Sequence, residues 1–192
     1  DIEGCHFDNG VVTTPKGFKA AYDGYCGMGG AALPMPAEFG GLGMPRSLIT
    51  LTDEIVHSSN MSFGLLPMLT QGAIEAILLA GSDALKQTFL PKMVSGEWTG
   101  TMNLTEPQAG SDLAAVRTRA VPQPDGTFLV TGQKIFITYG EHDYTENIVH
   151  LVLARLPDAP EGVKGISLFV VPKFVPDGEG RPGRRNDVRA VS

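Results

Sequence analysis

Cysteine is nearly missing: the 192 residues hold two, Cys5 and Cys26, far apart and in no CxxC pair. A disulfide framework is therefore not expected, and a reducing, cytoplasmic setting is. Histidine is scarce as well. His6, His57, His142 and His150 form no HExxH motif and no Cys/His cluster, so no metal site is expected. Charged residues make up only 19% against 42% hydrophobic, which excludes a disordered chain. Basic charge is the scarcer sign: 15 Lys+Arg face 21 Asp+Glu, a net charge of −6 that argues against a nucleic-acid or anionic-membrane binder. No run is read as approaching the roughly 20 apolar residues of a membrane span; the longest candidate, Ile166 to Val171, is strand-sized. There is no GxSxG elbow and no P-loop, which removes the commonest hydrolase and NTPase readings. Gly27 to Ala32 fits a GxGxxA pattern superficially, but Ala20 to Asp23 ahead of it reads as helical and Pro34 follows at once. A dinucleotide fingerprint needs a strand before it and a helix after it.

What is abundant is glycine (24) and proline (14), without a G-X-Y period that would suggest collagen. The length suits one large domain or two small ones. The chain opens on Asp1 rather than Met and closes at Ser192 in a charged, Gly-rich stretch, so it reads as an internal piece of something longer.

The pattern changes near Trp98. Before it, Leu48, Leu51, Ile55 and Ser59 step along one helical face, with Ile49 and Val56 beside it. Ala73 to Ala80 predicts an apolar helix that Gly81 can end in the left-handed conformation, and Ser82 offers an N-cap for the next. Pro91 should end or kink that helix. The loop from Gly27 to Pro45, with six glycines and three prolines, is too long for a simple turn and is a functional candidate. After Trp98 the period becomes two. Val116, Thr118 and Ala120 alternate with Arg117 and Arg119, Pro124-Asp125-Gly126 makes a turn, and strands are expected over 128–131, 134–138, 148–155 and 166–171. The reading is α+β: a helical domain over 1–98, then an antiparallel β-barrel or sandwich over 99–192.

The segment richest in chemistry is Thr101 to Asp112, TMNLTEPQAGSD, where a strand runs into a loop of hydroxyls, small residues and turn formers. Such a loop exposes backbone N–H groups and lets a ligand approach the main chain. Downstream, Phe136 and Thr138 stand two apart, hence on one face of the expected strand, as a flat ring system with polar edges would require. The residues alone leave two readings open: that ligand site, or a capped turn beside an ordinary strand.

Four ordered pieces bear on the choice. Thr105 to Asp112, TEPQAGSD, resembles the flavin-binding signature of the acyl-CoA dehydrogenases. Pro36 to Gly43 resembles that family's glycine loop, Gly81 to Glu97 its GS-x-x-x-K-Q helix, and Gly132 to Thr138 the strand carrying its second flavin contact. The resemblance spans residues 25 to 175 roughly, and the wording of MNLTEPQAGSDL is most similar to a longer branch that includes the 3-methylmercaptopropionyl-CoA dehydrogenase-like proteins.

The resemblance implies an N-terminal helical domain, a middle β domain and a C-terminal four-helix domain, the last absent from this chain. It implies FAD as cofactor, held by Met102, Leu104, Thr105, Gly110, Ser111, Phe136, Ile137 and Thr138, with Ser111 also near the thioester end of the substrate. Met102 and Phe136 stand where many relatives have Tyr and Trp. The implied reaction removes the α-proton of an acyl-CoA and passes the β-hydrogen as hydride to flavin N5, giving a trans-2-enoyl-CoA. The implied base is a Glu beyond Ser192, so no catalytic base is expected here and the chain alone should be inactive. Glu106 is read as structuring the loop rather than as the base. The implied partners are an electron-transfer flavoprotein and further copies of the chain, as a homodimer or homotetramer. The alternatives are a flavoprotein oxidase or monooxygenase of the same fold, a DNA-associated relative with vestigial activity, and an assembly module without flavin. The net charge of −6 speaks against the DNA reading, and the intact TEPQAGSD loop against the last.

Overall fold

Two of the four helices start on a short polar side chain. In a computed structural model describing residues 3–191, α1 spans Phe18–Gly27, α2 Ser47–Ser59, α3 Met61–Ala80 and α4 Asp83–Val94. Asn60 stands extended between α2 and α3 and its side chain accepts from the Phe63 N–H at 3.0 Å; Ser82 does the same for Leu85 at 3.3 Å. Each satisfies an N–H that the first helical turn leaves without a partner. Gly81 behaves otherwise than expected: at φ −72 it is extended, not left-handed. Its smallness serves space instead, since a Cβ there would lie 2.6 Å from the Ile77 carbonyl oxygen. Pro91 does not end α4. The helix runs on to Val94, held by a Ser95 N–H bond to the Pro91 carbonyl and by complete burial of Met93 and Val94. Packing outweighs the local cost of the proline.

The expected apolar stripe on α2 faces the wrong way. Leu51 and Ile55 are exposed, while Ile49, Thr52 and Val56 form the half-buried side against α3. The reading of apolar runs is corrected by α3, whose 20 residues have the length and hydropathy to cross a membrane (mean hydropathy 1.6). Half of that helix is buried within the protein, where Leu66, Ala73, Ile74 and Ile77 join the core, as fits a central helix of a folded domain.

The strands are β1 (His6–Asp8), β2 (Val11–Thr13), β3 (Trp98–Asn103), β4 (Arg119–Pro122), β5 (Phe128–Thr131), β6 (Asn147–Arg155), β7 (Ile166–Pro172), β8 (Phe174–Pro176) and β9 (Pro182–Arg185). β1 with β2 and β8 with β9 are separate antiparallel pairs. The main sheet is mixed rather than antiparallel throughout. β6 lies antiparallel to β7 but parallel to β3, with Trp98 opposite Asn147 and Asn103 opposite Val152. The reason is the connection: residues 104–146 return from the end of β3 to the start of β6, and a crossover of that length permits parallel neighbours. β4 and β5 form a hairpin within that crossover, closed by Gly126 at φ +82, and β4 meets β6 at Arg119 and Arg155. The alternating burial of Val116, Thr118 and Ala120 is as expected, although regular pairing begins only at Arg119.

β3 divides the molecule by its two faces. Trp98, Gly100 and Met102 look toward α3 and α4, in a core with Ala73, Ile74, Phe89, Leu90 and Met93. A Cβ at Gly100 would fall 2.5 Å from the Ala73 Cβ, so glycine lets helix and strand approach, and the Thr70 hydroxyl accepts from the Gly100 N–H at 3.1 Å. The opposite face carries Thr99, Thr101 and Asn103, all buried and polar. That face holds the site.

Candidate functional site

Thr99 and Thr101 each anchor a different part of the crossover, and Asn103 is held by the neighbouring β6. Thr99 Oγ1 meets His142 Nε2 at 2.9 Å, Thr101 Oγ1 donates to the Thr138 carbonyl at 2.7 Å, and Asn103 Oδ1 meets His150 Nδ1 at 3.2 Å. Buried polar groups require such partners. Both histidines are neutral. Burial first, then Lys173, pushes His142 down to about 3 and His150 to about 4. Because His142 Nδ1 accepts from the Tyr144 N–H, the network assigns its proton to Nε2. The half-buried Glu141–Lys173 ion pair fixes the same stretch from the β7 side.

Two segments then converge. The first, residues 104–111, leaves β3 and folds back on itself through paired bonds between Glu106 and Ala109. The second, residues 132–140, is an irregular strap and not the strand expected over 134–138. Phe136 (φ 57) and Tyr139 (φ 54) both adopt the left-handed conformation, so the two-residue spacing of Phe136 and Thr138 no longer places them on one strand face. The Ile135 N–H donates to the Thr105 carbonyl at 2.9 Å, Lys134 Nζ to the Leu104 carbonyl at 3.1 Å, and Tyr139 Oη to the Ser62 carbonyl at the start of α3 at 2.6 Å.

The residues singled out from sequence are distributed as follows. Leu104 and Thr105 are half-buried where the segments meet, Ile137 is half-buried in the strap, and Gly110, Ser111 and Thr138 are exposed. Phe136 is 87% exposed, an aromatic ring held out by a strained backbone. Among the described residues, the hydroxyls of Thr105, Ser111 and Thr138 have no hydrogen-bond partner, unlike those of Thr99, Thr101 and Thr118. Met102 departs from the group: its side chain packs into the helix-facing core. Gly110 has an ordinary φ, and a Cβ there would enter open space, so nothing in the chain's own packing demands a glycine.

Glu106 is the residue whose role the structure sharpens most. It is 3% exposed, and its carboxylate accepts from Lys134 Nζ (2.8 Å), the Arg117 N–H (2.8 Å), the Thr118 N–H (3.1 Å), the Thr118 hydroxyl and the Gln108 amide. Burial alone would raise it. The Lys134 ammonium, the Thr118 hydroxyl and the two backbone amides outweigh that and hold it at about 2. A carboxylate so engaged is no base at neutral pH. Lys134, Thr118 and the buried threonines of β3 were not singled out from sequence; the alternation of Thr99, Thr101 and Asn103 on one face of a strand was the available signal.

An exposed ring and free hydroxyls on two cross-tied segments suit a flat ligand with polar edges. The comparisons with known proteins bear on the family. Residues 101–187 match the profile described as acyl-CoA dehydrogenase, middle domain, and residues 13–97 that of the N-terminal domain. The chain is 57% identical over 192 residues to 3-methylmercaptopropionyl-CoA dehydrogenase of Ruegeria pomeroyi, covering 100% of this chain and 33% of that protein. Among solved structures it is similar to butyryl-CoA dehydrogenase from Megasphaera elsdenii (TM-score 0.70, 27% identity, 80% of this chain and 40% of that one). A second is an acyl-CoA dehydrogenase complexed with FAD from Bacillus anthracis (TM-score 0.69, 25% identity, 81% of this chain and 25% of that one). The chain thus spans about a third of the length of the curated relatives it matches, 33% and 32% for the two most identical here.

Proposed function

From the premise that this chain belongs to the acyl-CoA dehydrogenase family, as its N-terminal and middle domains, we propose that it forms the flavin-facing half of an FAD-dependent acyl-CoA dehydrogenase. The observation that carries the proposal is that residues 104–106 are tied to residues 134–135, on two segments that also carry the projecting Phe136 ring and the hydroxyls of Thr105, Ser111 and Thr138, unpartnered among the described residues. In this reading Leu104 and Thr105 hold the edge of the isoalloxazine, Phe136 its face and Thr138 its N5 side. Ser111 holds the pyrophosphate or the nearby thioester, and Gly110 lets the ligand approach the main chain. Ile137 turns the strap so that its neighbours can reach the ring. Met102 contributes from behind, through the packing of β3, rather than by contact.

FAD, when bound, supplies hydride acceptance at N5. The chain's residues orient and shield. Phe136 offers a stacking surface without an indole N–H, so the polar contacts fall to Thr105 and Thr138. Donors facing the thioester oxygen stabilise the charge that develops when the α-proton leaves, each worth about 3–4 kcal/mol in such sites. Glu106, held at about 2 and fully engaged, does not take that proton. A carboxylate from elsewhere in the whole protein does. The substrate is an acyl-CoA, the product a trans-2-enoyl-CoA, and the electron acceptor an electron-transfer flavoprotein. The whole protein is a homo-oligomer.

The test is an anaerobic visible spectrum of the holoenzyme carrying this chain, before and after a panel of saturated acyl-CoAs. Bleaching of the flavin band by one of them supports the proposal. A flavin band that none of them bleaches, with peroxide formed on admitting oxygen and another substrate, moves the chain to the oxidases of the same fold.

A further inference from the structure

Glu106 and Lys134 make an expensive arrangement for a protein that needs only stability. Both are almost fully buried (3% and 7% of their side chains exposed), and neither is among the residues that meet the flavin in the proposed reading. A buried ion pair seldom exceeds a well-packed apolar pair in net stability, so stability alone does not account for it. What distinguishes this pair is connectivity. The Glu106 carboxylate gathers donors from residues 108, 117, 118 and 134, while the Lys134 ammonium also captures the Leu104 carbonyl at 3.1 Å. Gly132 makes room for this. A Cβ there would lie 2.2 Å from Thr118 Oγ1, the hydroxyl that donates to Glu106. With the Leu104 carbonyl on Lys134 and the Thr105 carbonyl on the Ile135 N–H, two successive peptide oxygens are pinned to the strap, and the Thr105 hydroxyl has no partner among the described residues.

We propose that Glu106 and Lys134 are a positioning pair that presets the spacing and orientation of segments 104–111 and 135–138 before flavin binds. The inference rests on the flavin-facing reading given above. The pair touches no flavin atom; it acts through Leu104, Thr105 and the strap. Its removal frees the Leu104 carbonyl and leaves the strap tied to the loop by the Ile135–Thr105 bond alone, so both must be re-ordered on binding, a cost that appears as lost affinity.

The holoenzyme carrying Lys134→Met, stripped of flavin and titrated with FAD, tests this. Expected are a folded apoprotein, an FAD Kd weakened by about tenfold, and a visible flavin band shifted toward that of free FAD. Lys134→Arg, which keeps the charge and a donor, restores much of both. Lys92→Met, at the exposed Lys92–Glu97 pair, leaves both unchanged. Should Lys134→Met not fold, Glu106→Gln with Lys134→Met strands no charge and is read in the same way. A variant with lowered melting temperature but wild-type Kd and band shape overturns the positioning role and leaves the flavin site standing. A wild-type protein that binds no FAD overturns both.

Discussion

Thr138 and Thr101 show how differently two threonines one hydrogen bond apart can act. The Thr101 hydroxyl is buried and spent on the Thr138 carbonyl, whereas the Thr138 hydroxyl is exposed and free. Thr138→Ala is therefore expected to leave thermal stability unchanged and to weaken FAD binding by about 1 kcal/mol, near fivefold. Flavin retention equal to wild type in a fluorescence titration would contradict the assignment of Thr138. Glu106→Ala should do the reverse of a surface change, costing about 3–5 kcal/mol because Lys134 is left buried and unpaired; urea unfolding checks it. The buried histidines and Glu106 set the acid limit of stability. The unfolded chain protonates His near 6.5 while folded His142 and His150 resist to about 3 and about 4, so the unfolded state binds more protons in that window. Stability is full above pH 6.5 and falls as pH drops toward 4. Glu106, lowered from 4.5 to about 2, extends the loss below that. A melting-temperature series should slope downward from pH 6.5, and His142→Gln should flatten it; an unchanged slope would show that His142 protonates freely in the fold.

At the scale of elements, the caps at Asn60 and Ser82 behave as short polar side chains before helical runs should, and Ser82 was legible because the helix after it is local. Gly81 and the apolar stripe of α2 depart from expectation, and α4 runs past Pro91, for one shared reason. Each depends on what packs alongside: the Ile77 carbonyl, the buried Met93 and Val94, and α3. Residues 134–138 favour a strand, but Phe136 and Tyr139 adopt positive φ where Lys134, Ile135 and Thr138 are tied to β3 and the loop after it. Tertiary bonds overrode propensity. The close joint between α3 and β3 yields a sharp expectation. Gly100→Ala must displace Ala73 or Met93, whose Cε would lie 2.8 Å away, and should cost about 1–3 kcal/mol in urea unfolding without altering flavin spectra. A neutral Gly100→Ala would mean that the joint has slack.

For the whole molecule, the order of a helical part and then a sheet-containing part was visible in the change of period near Trp98, because periodicity is local. The parallel pairing of β3 with β6 was not, since it depends on a crossover whose path no short window reveals. The TEPQAGSD and GQKIFIT wording points to candidate residues, yet the frame that supports them was not legible. That frame, made by Thr101, Glu106, Thr118 and Lys134, emerges only when segments 104–111, 117–118 and 132–140 meet. The central claim is that those two flanking segments together receive FAD. Amide hydrogen exchange of the protein with and without FAD addresses it most directly. The account predicts protection concentrated in residues 104–111 and 135–139, with little change in α1 or the β4–β5 hairpin. Binding of FAD with no protection in either segment would contradict it.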